Sequence, residues 1–504
     1  MSNPHSAGIG RNTLIFISAS LVPAVIALVT VPAYLSVIGT ERFGVYVIAL
    51  LVIGYFGLSD LGLGAATENA VARMGPDDPE RRSATVWTAA TISLAFGIIG
   101  GAALVGVSWF LFTTVLSLPD GLRAEARDAI PILAACIPLL TLWSIAESVL
   151  NGSERFVAVS TLDTVRLITL QLLPLGFAFW WGPELVWIAS GIILALTISS
   201  VLALAATVEL VLAPKRLARP TRALAVPLLH FGKWVSVTGL VGPILAVGDR
   251  LVIGAVRGAT AVTVFSIPYN LASRLLVVPF SLIRVAFPRF SAIGVEESRA
   301  LGASALAVLA LITAPFAVLG ASLAAPFLEW WIGEDLATDA APVAAVLFAG
   351  IWVNGLGYVP YSLLQAQGRP DVPARYHAFE VVPFLIVLAI GVHFAGPLGA
   401  ALAWSCRTLV DSSLLLRAAR LPWVKDPKLL GSAAIVTIAA VNGAVFADRT
   451  PVLLAVGLPL TTLSFAGAWV LSPPGLRAQA RRLLPGRGKR GEKQEDSAPA
   501  ALED

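Results

Sequence analysis

Twelve ionisable side chains stand inside, or at the ends of, stretches that are otherwise apolar: Asp60, Glu68, Glu147, Asp163, Arg166, Asp249, Arg250, Arg274, Arg284, Glu380, Arg407 and Asp411. A charge near the centre of a membrane span costs roughly 2.5–3.5 kcal/mol on insertion scales, so by default such residues face a protein interior or a water-filled cavity. Two chemistries are open to them. The first is mutual neutralisation. Asp163 with Arg166, and Arg407 with Asp411, have the helical spacing that puts both partners on one face. The second is anion binding, which suits a phosphate because a guanidinium bonds two oxygens at once and stays charged. Arg274 and Arg407 fall near mid-stretch, with Arg250 and Arg166 about a third of the way in, so these four are the candidates for lining a substrate cavity. Tyr269, Asn270, Asn354, Tyr358 and Tyr361 could add hydrogen bonds there, or act only as polar packing between helices. Asp60, Asp163, Asp249, Asp411, Glu68 and Glu380 are the candidates for charge pairing or ion coupling. Of the charged set, Asp60, Glu68, Glu147, Arg284 and Glu380 lie near stretch ends, where a merely interfacial role competes.

The elements that must position these charges are membrane helices. The 504 residues are 57% hydrophobic and 13% charged, against about 25% charged in a soluble domain. About fourteen apolar segments are expected at 13–38, 44–64, 84–114, 130–150, 157–181, 185–211, 234–256, 262–285, 300–328, 341–365, 378–394, 397–417, 429–446 and 451–472. The fold class read from this is an all-α polytopic membrane protein. Its expected division is a six-helix lobe at 1–211, a linker at 212–233, a second six-helix lobe at 234–420, two extra helices at 429–472 and a basic-then-acidic tail at 473–504. Lys and Arg concentrate in alternate loops (Arg81 and Arg82; Lys215, Arg216 and Arg219; Arg369 and Arg375), so both termini are expected on the cytoplasmic side of a cell membrane. The first segment is too long for a signal-peptide core and reads as a retained helix.

Several classes are disfavoured. The net charge of +4 comes with no nucleic-acid-binding motif. Cys136 and Cys406 both sit in apolar segments and suggest neither a disulfide framework nor a metal site. Gly486-Arg487-Gly488-Lys489 lacks P-loop spacing. The sequon Asn151-Gly152-Ser153 falls in an expected cytoplasmic loop. A membrane enzyme would need catalytic groups on a sizeable external loop, and the longest candidate loops are short and hold no His or Cys. No catalytic residue is therefore expected.

The second half echoes the first. Val37-Ile38-Gly39 recurs as Val252-Ile253-Gly254, Gly182-Pro183 as Gly396-Pro397, and Gly152 and Arg155 match Gly368 and Arg369. Six spans repeated on six would make parallel repeats about an axis along the membrane normal, an arrangement found in transporters that rock two halves about a central site. The repeat does not preserve charge: Asp60 aligns with Arg274 and Glu68 with Arg284. Pro23 and Pro32, and Gly355, Gly357 and Pro360, are places where helices could bend during gating or carry static kinks.

Four motifs in order carry a family resemblance. They are Val37-Ile38-Gly39-Thr40-Glu41-Arg42-Phe43-Gly44-Val45-Tyr46 with Asp60-Leu61-Gly62-Leu63-Gly64; Gly248-Asp249-Arg250; Phe287-Pro288-Arg289-Phe290-Ser291; and Gln367-Gly368-Arg369-Pro370. Together they resemble the Wzx-type O-antigen and exopolysaccharide flippases of the multidrug/oligosaccharidyl-lipid/polysaccharide exporter superfamily, over residues ~10 to ~420. The resemblance implies a two-lobed bundle and translocation of an undecaprenyl-diphosphate-linked oligosaccharide by alternating access. It implies the bacterial cytoplasmic membrane, with other polysaccharide-assembly proteins as partners. It also implies no cofactor, and a drive from H+ or Na+ in place of ATP. Two relatives of the same fold stay open as alternatives: a lipid II flippase and a drug or cation antiporter. The antiporter branch often carries a carboxylate in its first helix, and segment 13–38 has none.

Overall fold

The chain is described by a computed structural model covering the backbone of residues 4–58, 62–74, 78–212, 219–239, 241–421 and 426–472 with Pro474 and Arg477, and their side chains outside 4–24, 57–58 and 231–247. Asp60, Lys215, Arg216 and nearly all of the tail lie outside these residues.

Every long element among the described residues is a helix. In chain order they are α1 (Pro4–Leu58), α2 (Leu63–Ala72), α3 (Pro79–Phe110), α4 (Asp120–Gly152), α5 (Phe156–Trp181), α6 (Leu185–Leu210), α7 (Arg222–Gly239), α8 (Val241–Ser273), α9 (Val277–Ala292), α10 (Val295–Ile332), α11 (Glu334–Ala366), α12 (Asp371–Ala418), α13 (Pro427–Val445) and α14 (Thr450–Leu471). Eleven stretches among the described residues are long and apolar enough to cross a membrane. Their outer faces present Val201, Ile390, Ile438 and Leu463, as lipid contact requires. The chain is a multi-pass membrane protein.

Three of the long helices fold back on themselves. On a straight helix Tyr34 and Tyr46 would lie about 18 Å apart, yet their rings stack at 5.1 Å. The reversal falls at Gly39, whose φ of 78° and ψ of 168° no side-chain-bearing residue adopts readily. In α8 the guanidinium of Arg250 lies 4.0 Å from the ring centre of Tyr269, across a reversal at Gly258 with φ 81°. In α12 Arg407 meets Glu380 at 3.0 Å across the reversal at Ala395 and Gly396, where a straight helix would separate them by about 40 Å. Eleven stretches, three of them folded, account for the approximate count of fourteen segments. The sequence match of Gly39 to Gly254 is out of register with the structure: the residue that turns the corresponding helix of the second half is Gly258.

Two groups of helices follow, α1–α6 and α8–α12, with α13 and α14 packed mainly on α10. Small residues let the helices approach. A Cβ on Gly101 would come within 2.7 Å of the Ala134 carbonyl oxygen of α4, and Ser93 and Thr141 donate reciprocally to each other's carbonyls at 3.0 Å. Packing and polar glue hold helices together where lipid removes the hydrophobic drive. The expected linker is shorter than the sequence suggested, because α7 begins at Arg222 and packs on α2 and α3. The apolar side of its first half, with Leu228 buried, explains that docking.

The two groups meet mainly through α1 and α8. Following the turns from the N-terminus places Gly39, Ser117, Gly182, Gly258, Gly333 and Gly396 together at the end far from it. Several hydrogen bonds that cross the halves fall there, and Trp331 Nε1 of α10 also donates to Leu28 O of α1 at 2.6 Å. Thr263 Oγ1 donates to the Thr40 carbonyl at 2.7 Å. Ser117 donates through N to Gly254 O at 3.1 Å and through Oγ to Ala255 O at 2.7 Å. Gly44 lies against the Ala259 carbonyl so closely that a Cβ there would overlap it. Nearer the N-terminal end Gly54 of α1 is open, with nothing within 4 Å of its Cβ position, and Asn270 and Arg274 of the second half are exposed.

Candidate functional site

Arg274 opens a 3-10 turn, Arg274–Leu276, that breaks the helix between α8 and α9. It is exposed, and among the described residues it has no carboxylate partner. The turn leans on α11, where Gly355 leaves room: a Cβ there would meet Pro279 Cγ at 3.1 Å. Phe280 packs on Tyr358 with ring centres 4.5 Å apart, which keeps Asn354 and Tyr358 on the α11 face beside the break. Both are half-buried. The break therefore carries an exposed guanidinium, with Asn354 and Tyr358 on the neighbouring helix α11.

The other three candidate arginines are engaged. Arg250 is buried, bonds Asp249 at 2.5 Å, and is sandwiched against Phe265 and Tyr269. Tyr269 in turn meets Trp404 edge-on at 5.5 Å. Arg166 bonds Asp163 at 2.6 Å, the i,i+3 pair expected from spacing, and lies 5.1 Å from the ring centre of Trp143. Trp143 Nε1 donates to Glu147 Oε2 at 3.1 Å, so Glu147 belongs to a helix-packing cluster. Arg407 does not pair with Asp411 as its spacing suggested. It bonds Glu380 at 3.0 Å on the other leg of α12 and lies 5.2 Å from the Phe384 ring centre. Asp411 sits 3.5 Å from His377 Nε2. The fold-back at Gly396 sets these partners, and helical spacing within one leg could not reveal it. Glu380, read as near an interface, is well inside the fold with a side chain 11% exposed.

Of the remaining candidates, Asn270 and Glu68 are exposed, and Asp60 lies outside the described residues. Gly357 touches Ser412, so with Gly355 it serves close packing, the ordinary alternative to a gating hinge. His377 was not singled out in the sequence. Its only local signal was a lone histidine one turn before Glu380 in an apolar segment. A pocket elsewhere, lined by Tyr46, Phe112, Leu133 and Ile192, is apolar and holds none of the candidate residues.

The described residues of the first and last quoted motifs make structural contacts. Arg42 grips Glu125 with Nε at 2.8 Å and Nη2 at 2.6 Å, Gly44 makes a close approach between the halves, and Tyr34, Phe43 and Tyr46 form one aromatic cluster. Gln367 Nε2 donates to Ser298 Oγ at 3.2 Å and Arg369 to Ala418 O at 3.3 Å, fixing the turn from α11 to α12.

Residues 9–293 match the family described as polysaccharide biosynthesis protein. A "Putative O-antigen transporter" of Shigella flexneri is 28% identical over 396 residues, 78% of this chain and 93% of the relative. "Lipopolysaccharide biosynthesis protein WzxC" of Escherichia coli (strain K12) is 27% identical over 37% of this chain and 39% of its own length. Among solved structures, the lipid II flippase MurJ in an inward closed conformation superposes with a TM-score of 0.69 at 17% identity, covering 90% of this chain and 98% of that one. An inward-facing multidrug resistance MATE family transporter gives 0.66 at 16% identity, covering 83% and 95%. The fold is that of the multidrug/oligosaccharidyl-lipid/polysaccharide exporter superfamily.

Proposed function

Since the chain belongs to the polysaccharide biosynthesis protein family, we propose that it is a flippase that carries a diphosphate-linked lipid oligosaccharide from the cytoplasmic to the outer leaflet of a bacterial cell membrane. The observation that carries this reading is Arg274. It is an exposed guanidinium at a helix break of the second half, in a fold whose halves share hydrogen bonds at one end. A diphosphate offers the paired oxygens a guanidinium fork binds best. The lipid tail would stay in the bilayer while the sugars occupy the space between the halves. The basic loops favour a cytoplasmic position for the N-terminal end, so the substrate would enter from that side. Releasing Ser117 and Thr263 from their partners in the other half would then let the far end open. The Shigella flexneri relative named "Putative O-antigen transporter" supports the substrate class.

The test is leaflet-resolved detection of undecaprenyl-linked oligosaccharide in cells with and without the protein. Accumulation on the cytoplasmic side upon depletion, relieved by re-expression, is the expected result. Accumulation of peptidoglycan precursors instead would point to a lipid II flippase. Unchanged lipid-linked sugars together with altered resistance to cationic compounds would point to an efflux antiporter.

A further inference from the structure

The two legs of α12 hold a four-membered charge network that the anion site does not use. His377 and Glu380 come from the first leg, Arg407 and Asp411 from the second. Arg407 Nη1 lies 3.0 Å from Glu380 and His377 Nε2 3.5 Å from Asp411. One ligand atom from each of His377, Glu380 and Asp411 falls within 4.8 Å of the other two. Their neighbours among the described residues are Tyr361 of α11, stacked on His377 at 6.0 Å, Tyr358 of the same helix, and Tyr269 of α8. Tyr269 lies against Trp404 and beneath Arg250 of the neutralised Asp249–Arg250 pair.

The charge balance of this network is incomplete. Two carboxylates face one guanidinium, and with a neutral imidazole the sum is one negative charge inside a spanning segment. Uncompensated charge there is expensive, so the cluster calls for one more positive charge. A metal ion would have to sit beside the Arg407 guanidinium, which already occupies the cation position at Glu380. A proton needs no such room, and on the His377 ring it would turn a loose contact with Asp411 into a charge-assisted bond.

We propose that His377, Glu380 and Asp411 form a proton-binding site in which the proton resides on His377 and ties the two legs of α12 together. With the proton present, each leg contributes one cation and the other the matching carboxylate: His377 to Asp411 and Arg407 to Glu380. With the proton gone, Asp411 loses its partner, and one of the two clasps between the legs is released. Coupling of this event to substrate movement rests on the flippase reading; the proton site itself does not.

The chain has four histidines, so the site can be read directly by NMR of full-length protein labelled with 15N-histidine in nanodiscs. His377→Gln identifies the His377 signal by its loss. The expected result is a signal that passes from neutral to doubly protonated imidazole between pH 5 and 8. Its midpoint should fall by about one pH unit or more in Asp411→Asn, since the carboxylate stabilises the charged ring. Glu380→Gln, which removes the other negative charge, should move it the same way by less. A His377 signal that keeps one protonation state across the range, or does not move in either variant, overturns the proposal. So does a shift of that signal on adding micromolar Zn2+ at constant pH, which would make the cluster a metal site. The signal is read without transport, so failure to flip lipid would count against the flippase reading alone.

Discussion

The two halves carry charge at matching places and neutralise it in different ways. Asp163, Arg166 and Glu147 of the first half each precede His377, Glu380 and Tyr361 of the second by the offset that separates the turn glycines Gly182 and Gly396 (163 to 377, 166 to 380, 147 to 361, 182 to 396). In the first half, acid and base sit on one helix, three residues apart, with Trp143 of α4 capping the guanidinium. In the second half, the same two positions reach to Arg407 and Asp411 on another leg, where the first half has Ile193 and Thr197. An intrahelical pair travels with its helix and is indifferent to motion. A pair between legs must break or be remade if the legs part, so the second half is the one whose charges can sense or drive a rearrangement. The second half also carries Arg274, the exposed guanidinium without a carboxylate among the described residues.

The largest effect should come from the most deeply buried pair of the second half. Asp249 and Arg250 have side chains 0% and 3% exposed. Asp249→Ala would strand a buried cation and should lower stability by about 3–5 kcal/mol. Thermal unfolding in detergent measures it, and Asp249→Ala with Arg250→Met should recover most of the loss. Next is Arg274→Ala. Losing a charged hydrogen-bonding partner is worth roughly 1.5–3 kcal/mol, so binding of the diphosphate should weaken about 10- to 100-fold while the protein still folds and inserts. Arg274→Lys should restore only part of it, because a point charge lacks the fork. Full transport by a stable Arg274→Ala protein would erase the functional side of the comparison.

Between these and the smaller effects stands Glu380→Ala. It removes the partner of Arg407, whose side chain is 16% exposed, and should cost about 1–3 kcal/mol. The same change at Asp163 tests whether the halves differ as their geometry says.

How much of this could be read from sequence depends on the distance over which each contact acts. The spans were legible because a run of apolar residues is a local property, and the Asp163–Arg166 pair because its partners are one helical turn apart. The approximate segment count survives the fold-backs at Gly39, Gly258 and Gly396. Arg407 was assigned the wrong partner for the opposite reason. Asp411 is near in sequence, while Glu380 becomes near only once α12 has folded on itself. His377 carried no local signal, since a lone histidine in an apolar helix gains meaning from what faces it. The start of α7 at Arg222 was missed because its first twelve residues were counted into the linker at 212–233. Arg274 reads from the sequence as a mid-span cation; its exposure at the 3-10 break between α8 and α9 depends on a turn that no spacing encodes.

The smallest predicted effect is the sharpest test of the contrast. Asp163 is 40% exposed and Arg166 24%. A pair of this kind on one helix contributes about 0.3–0.5 kcal/mol, and the cation–π contact with Trp143 remains when the carboxylate is lost. Asp163→Asn should therefore shift the unfolding temperature by at most a degree or two and leave the pH dependence of transport as it was, whereas Glu380→Gln should alter both. If Asp163→Asn proves as damaging as Glu380→Gln, the first half is also holding a strained or moving contact. The asymmetry would then lie in which residues are charged and not in how the helices use them.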